Sequence, residues 1–150
     1  VISHSATDVF TAKELAALKY AERIVACLPD EDANGDVLRC HEVARVVSHF
    51  LGLPVMDGYY GPERGQMTGV EHSWLYFRPL TDEGDEAIGL NFLDPYCIGR
   101  LPQVQLVHTH WNLPHQDIYK PGYPREDVRD AVVAALIQHV IENEKERPSD

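Results

Sequence analysis

The chain has 150 residues, 44% hydrophobic and 25% charged, which suits one globular domain with a real core. Its net charge of −11 excludes a nucleic-acid backbone as the main partner, because phosphate contacts need clustered lysine and arginine. No apolar run reaches the length of a membrane span, and VISHSATDVF lacks a signal-peptide pattern, so no membrane partner is expected. The acidity fits solubility first and a basic or amine-bearing substrate second.

Three cysteines, Cys27, Cys40 and Cys97, make an odd count with no close pair. That argues against a disulfide framework or a zinc knuckle and for a reducing, cytoplasmic location.

Thr11 and Glu14 have capping-box spacing, and Leu15, Leu18, Ile24, Val25 and Leu28 repeat with helical period. A first helix is therefore expected from Ala12 to about Leu28, stopped by Pro29. Cys27 near its end reads as a small buried hydrophobe. Residues 29–36, PDEDANGD, are a loop by composition.

A second helix is expected from Asp36 or Val37 to about Leu51, with Val43, Val46, Val47, Phe50 and Leu51 on one face and Gly52 as its stop. Cys40 then falls in or just past the first turn, near the positive end of the helix dipole. Strands are expected over Leu53–Tyr60, Val70–Phe77 and Ala87–Leu93, with connections short enough for antiparallel neighbours. Pro54 and Gly58 weaken the first of these, and Asp94-Pro95 ends the third.

Beyond Gly99 the pattern is weaker. LPQVQLVHTHWNL is expected to hold a short strand, and NLPHQDIYKPGYP to be a turn-rich surface segment. Trp111, Tyr119 and Tyr123 are expected to cover the sheet edge or the last helix rather than to line a groove. That helix is expected from Pro124 or Arg125, with Val128, Val132, Ala135, Leu136, His139 and Val140 buried, before a solvated tail.

The fold class that follows is α+β: an antiparallel sheet with the Cys40 helix packed on it and helices at both ends of the chain.

The chemistry concentrates in RCHEVARVVSHFLGL, EHSWLYF and GLNFLDPY. They carry a thiol at a helix start (Cys40), an imidazole on a strand (His72) and a carboxylate at a strand end (Asp94). A thiol becomes a good nucleophile as a thiolate, which a nearby imidazole and a helix N-terminus both favour. The carboxylate would fix the imidazole tautomer.

In this order the elements resemble the transglutaminase-like superfamily, whose core is shared with papain-like cysteine enzymes. The resemblance covers roughly residues 35–96: Cys40, LGLPV at 51–55, DGYYG at 57–61, EHSWLYF at 71–77 and LDPY at 93–96. It implies Cys40 as nucleophile, His72 as general base and acid, and Asp94 as orienting carboxylate. It also places Trp74 beside His72, on the same strand face. Ser73 stands where the family commonly has alanine, and the approach to the cysteine, Asp36 to Arg39, also departs from the family pattern. Neither departure is expected to touch the reacting groups.

The activity implied is acyl transfer through a thioester, with a peptide or small amide-bearing substrate and no cofactor. Hydrolysis of an amide or peptide bond is the first expectation. Transfer to an amine is the second, and a non-catalytic binding module on the same fold the third. The Cys40 N–H is the natural first oxyanion donor, and Asn34, Trp74, Tyr59 and Tyr60 are candidates for the second.

A rival constellation is metal-like. His108 and His110 would share a strand face, with His115, Asp117 or Cys97 as a third ligand. Turn-rich histidines are more often surface residues, so no metal is expected. His41, next to Cys40, is expected to point away from it and lie on the surface.

Overall fold

The computed structural model describes residues 10–61, 70–77, 91–96, 103–108 and 119–146. Helix α1 spans Ala12–Ala26. The capping box is closed in both directions: Glu14 N–H donates to Thr11 Oγ1 at 3.1 Å and Thr11 N–H to Glu14 Oε1 at 2.9 Å. Leu18, Ala21 and Ile24 form its buried stripe. Cys27 follows, buried, with Sγ donating to Glu144 Oε2 at 3.4 Å.

Helix α2 spans Cys40–Leu51, so it starts later than the expected Asp36 or Val37. The intervening residues have other partners. Asp32 Oδ1 accepts from the N–H groups of Asn34 (2.8 Å) and Asp36 (3.1 Å), and Gly35 turns the chain at φ +82°. Val37 pairs with Glu31 as an isolated bridge, and Leu38 drops into the core. Cys40 is consequently the first helical residue. Val43, Ala44, Val46 and Val47 are wholly buried, each valine worth on the order of 2 kcal/mol. The helix ends at Gly52, whose φ of +71° suits a left-handed cap and whose N–H reaches Ser48 O at 2.7 Å.

The strands are β1 (Val55–Tyr60), β2 (Val70–Tyr76), β3 (Asn91–Asp94), β4 (Gln105–His108) and β5 (Tyr119–Pro121). They form one antiparallel sheet in the order β4-β3-β2-β1-β5. Residues 87–90 of the expected third strand lie outside the described residues.

Strand β5 corrects the expectation of a surface turn. It pairs Tyr119 with Tyr60 and Pro121 with Gly58. Three residues are too few to show alternation, and a proline is tolerated because β5 is an edge strand. Gly58, a weak strand former, is required here. A Cβ at that position would collide with Lys120 O of β5 and with the Trp74 ring.

Helix α3 spans Asp130–Glu146, starting later than the expected Pro124 or Arg125. Residues before it are engaged elsewhere: Arg125 N–H donates to Asp57 Oδ2 at 2.9 Å and its guanidinium pairs with Glu71 at 2.6 Å. Val132, Leu136 and Val140 are buried, whereas Ala135 is exposed.

The protein is thus α+β. Helix α2 lies on β1 and β2, with α1 and α3 against it. Alternation on the strands splits the interior in two. Leu75, Leu93 and Leu106 face the helices, while Trp74, Tyr76, Phe92 and Val107 form an aromatic cluster on the other side.

The sheet curls around that cluster. Tyr119 on β5 lies three strand steps from β3, which in a flat sheet is about 14 Å. Its ring nevertheless sits 4.8 Å from that of Phe92, and its hydroxyl bonds Asp94. Among the described residues no helix is long and apolar enough to cross a membrane.

Candidate active site

His72 and Asp94 meet inside the curl. The β2–β3 register sets Leu75 opposite Leu93, so Asp94 lies diagonally across from His72 on the same face. Both side chains are fully buried, and His72 Nε2 is 2.8 Å from Asp94 Oδ2. The carboxylate oxygen can only accept, so the proton on this side belongs to Nε2. Asp94 is held twice more, by Tyr119 Oη–H on Oδ2 (2.8 Å) and by the Tyr96 N–H on Oδ1 (3.1 Å).

Trp74 stacks on His72 with centroids 6.0 Å apart and planes at 30°, and Tyr60 meets the imidazole edge-on at 5.7 Å. These rings exclude water and fix the imidazole plane. Its Nδ1 is buried and makes no conventional hydrogen bond to the described residues.

Cys40 comes to the same place from α2, its Sγ 3.9 Å from the carbonyl oxygen of Glu71, the residue before His72. The N-cap residue Arg39 has extended backbone and makes no side-chain cap bond. The first-turn N–H groups and the positive end of the helix therefore face the sulfur's surroundings.

Burial alone would push the Cys40 thiol up. Contacts with His41 and His72 override it and bring the thiol down to about 6. Burial likewise disfavours a charged His72, but Asp94 and then Cys40 raise it to about 9. The opposite displacements describe one thiolate–imidazolium pair, populated between about pH 6 and about pH 9.

The three residues singled out from the sequence are therefore neighbours. The proposed second oxyanion donors are scattered. Trp74 and Tyr60 pack on His72, Tyr59 is exposed, and Asn34 lies exposed in the Asp32 turn. Arg39 and Asp36 spend their charges elsewhere, on Glu42 and Asp127 and on Arg129 respectively. In the metal-like constellation, His108 Nδ1 is 2.6 Å from Asn91 Oδ1, while Cys97, His110, His115 and Asp117 lie outside the described residues.

One expectation is overturned here. His41 is buried, not a surface residue, and both its ring nitrogens lie within 3.9 Å of Cys40 Sγ. Helical spacing sets residue 41 in line with Ala44, which is buried, and Arg45, which reaches Asp57 of β1, so it faces the sheet rather than outward. Ser73 Oγ is 2.7 Å from His41 Nδ1, a neighbour of Cys40 rather than one of the three residues singled out from the sequence.

Sequence reasoning also missed Tyr119, Tyr96 and Asp57. Burial and then the nearby Cys40 charge raise the Tyr96 hydroxyl. Asp57 is clamped by Arg45 (3.0 and 2.6 Å), Ser73 Oγ and the Arg125 N–H. Burial opposes its charge, but these contacts lower it to about 2. An aspartate in the DGYYG strand was the only signal, and it does not disclose its partners.

No protein-family model, curated protein or solved structure matches this chain.

Proposed function

We propose that this protein is a cysteine-dependent acyl-transfer enzyme on a papain- or transglutaminase-like core, hydrolysing an amide or peptide bond. The observation that carries the reading is the His72–Asp94 contact of 2.8 Å between two fully buried side chains, with the other imidazole nitrogen left for Cys40. Burying such a pair costs several kcal/mol, which its mutual attraction and the Tyr119 and Tyr96 hydrogen bonds to Asp94 offset.

In this reading the Cys40 thiolate attacks the carbonyl carbon, forming a C–S bond and an oxyanion. The Cys40 N–H at the helix start is the first oxyanion donor. The intermediate collapses as the C–N bond breaks, and His72 gives its Nδ1 proton to the departing amine. Water then attacks the thioester, His72 takes the water proton, and the carboxylic acid leaves as the thiolate returns. Asp94 keeps Nε2 protonated throughout, so that Nδ1 is the nitrogen that exchanges protons.

The test is iodoacetamide alkylation of each cysteine against pH, read by peptide mass, in wild type and His72→Ala. Labelling of Cys40 should rise through about pH 6, well ahead of Cys27, and should lose that advantage in His72→Ala. Hydroxylamine trapping with a peptide library then reads the acyl-enzyme, and added amine separates hydrolysis from transfer. Slow Cys40 labelling that ignores His72 would leave a binding module and remove the proposed chemistry.

A further inference from the structure

Cys40 has a second imidazole against it, on the helix side of the sheet. His41 is 5% exposed, with Nδ1 3.8 Å and Nε2 3.9 Å from Cys40 Sγ. Such near-equal distances set the sulfur against the ring as a whole rather than in line with one N–H. The contact is therefore one of charge with ring, not a directed hydrogen bond.

The proton inventory fixes the tautomer. Ser73 Oγ is 2.5 Å from Asp57 Oδ1 and 2.7 Å from His41 Nδ1. A hydroxyl has one proton. The ionised Asp57, pinned by both Arg45 nitrogens, can only accept, so Ser73 donates to it. Toward His41, Ser73 can then only accept, and His41 must carry its proton on Nδ1. In the neutral ring Nε2 is then the bare nitrogen, 3.9 Å from the sulfur.

We propose that His41 is a second catalytic residue of the Cys40 centre, its Nδ1–H locked by Ser73 and Asp57, its ring held against the sulfur so that together with His72 it favours the thiolate. Ser73 and Asp57 are positioning residues in this arrangement. The inference rests on reading Cys40 as the nucleophile. Among the described residues, Cys40 and Arg45 on α2 touch His41 itself, Asp57 on β1 reaches it through Ser73, His72 on β2 meets it across Cys40, and Arg125 before α3 lies beyond Asp57, paired with Glu71. Arg45 is paired with Asp57 and Arg125 with Glu71 and Asp127, so among the described residues the two imidazoles are the basic groups that meet the sulfur.

The experiment is the pH profile of Cys40 alkylation in the full chain, compared among wild type, His41→Asn, His41→Phe and Ser73→Ala. Thermal unfolding is followed in parallel. Asparagine can still donate to Ser73 but carries no charge, so it separates anchoring from electrostatics. In both His41 variants the midpoint should move up by about one pH unit. Labelling below the midpoint should then slow about tenfold. Ser73→Ala should fall between, with Cys27 labelling unchanged.

Folded His41 variants that keep the wild-type midpoint would overturn the inference. A long-range proton–nitrogen spectrum of the wild type decides it without a mutation: His41 should be protonated on Nδ1, and a neutral Nε2–H ring would sink it. Wild-type Cys40 no faster than Cys27 would remove the nucleophile reading and this inference together. A reactive Cys40 that slows in His72→Ala but ignores His41 would remove this inference alone.

Discussion

The two sides of Cys40 hold their imidazoles by different means. On the concave side, His72 touches its carboxylate directly, and Trp74, Tyr60 and Tyr119 pack around the ring. On the helix side, His41 reaches Asp57 only through the Ser73 hydroxyl, and that carboxylate is already neutralised by Arg45. A direct carboxylate raises the basicity of its imidazole strongly, as the value of about 9 for His72 reflects. A hydroxyl relay mainly fixes orientation and tautomer. In the proposed chemistry, that difference gives proton transfer to the His72 side.

That comparison breaks most sharply at Asp94. Asp94→Asn should keep the fold but let His72 adopt the wrong tautomer, lowering Cys40-dependent turnover by about 100-fold or more. Steady-state kinetics on any acyl substrate found by trapping would check it. In wild type, turnover should rise as Cys40 ionises through about pH 6 and fall as His72 loses its proton through about pH 9.

On the other side, Arg45→Met should act on stability. It leaves Asp57 buried with only Ser73 and the Arg125 N–H, at a cost of about 3 kcal/mol in urea unfolding at neutral pH. The lowered Asp57 gives a sign to the pH dependence. Its contribution is complete above the unfolded carboxyl value of about 3.9 and is lost as pH falls through about 2. Arg45→Met should shift that loss to higher pH.

Gly58→Ala sharpens the role of the edge strand. The added methyl would meet Lys120 O and Trp74, so a loss of about 1–3 kcal/mol is expected, together with displacement of Tyr119 from Asp94. Denaturant melts and the Cys40 alkylation profile would read the two effects separately. The smallest change is Tyr119→Phe. It deletes one hydrogen bond to an aspartate that keeps two others, worth about 1 kcal/mol in the same melts.

Much of the fold was legible in local pattern. The capping box gave α1 its start, the Val43-Val46-Val47 stripe gave α2 its buried face, and Gly52 gave its end, because these depend on neighbours within one turn. Helix starts were less legible. The Asp32 turn removes 36–39 from α2, and the Arg125 and Arg129 contacts hold back α3. The α3 contacts, and the Arg129 bond that holds Asp32, rest on partners far along the chain.

The candidate site divides in the same way. Cys40, His72 and Asp94 were readable because each sits at a recognisable place in its element: a helix start, an alternating strand, a strand end before proline. His41, Ser73 and Asp57 were not. On sequence they are a helix residue, a small strand residue and a turn-like acid, and only their meeting gives them a role.

By itself, then, the sequence determined residue chemistry, helical and strand periodicity, and the order in which thiol, imidazole and carboxylate occur. The tertiary structure decided how far the sheet curls, which brings Tyr119 across to Asp94. It also decided which face of α2 packs on β1 and β2, which sets His41 against Ser73. Periodicity is a property of neighbours a few bonds apart. A 2.7 Å contact between residues 32 positions apart exists only once the packing of α2 on β2 has set their distance and direction.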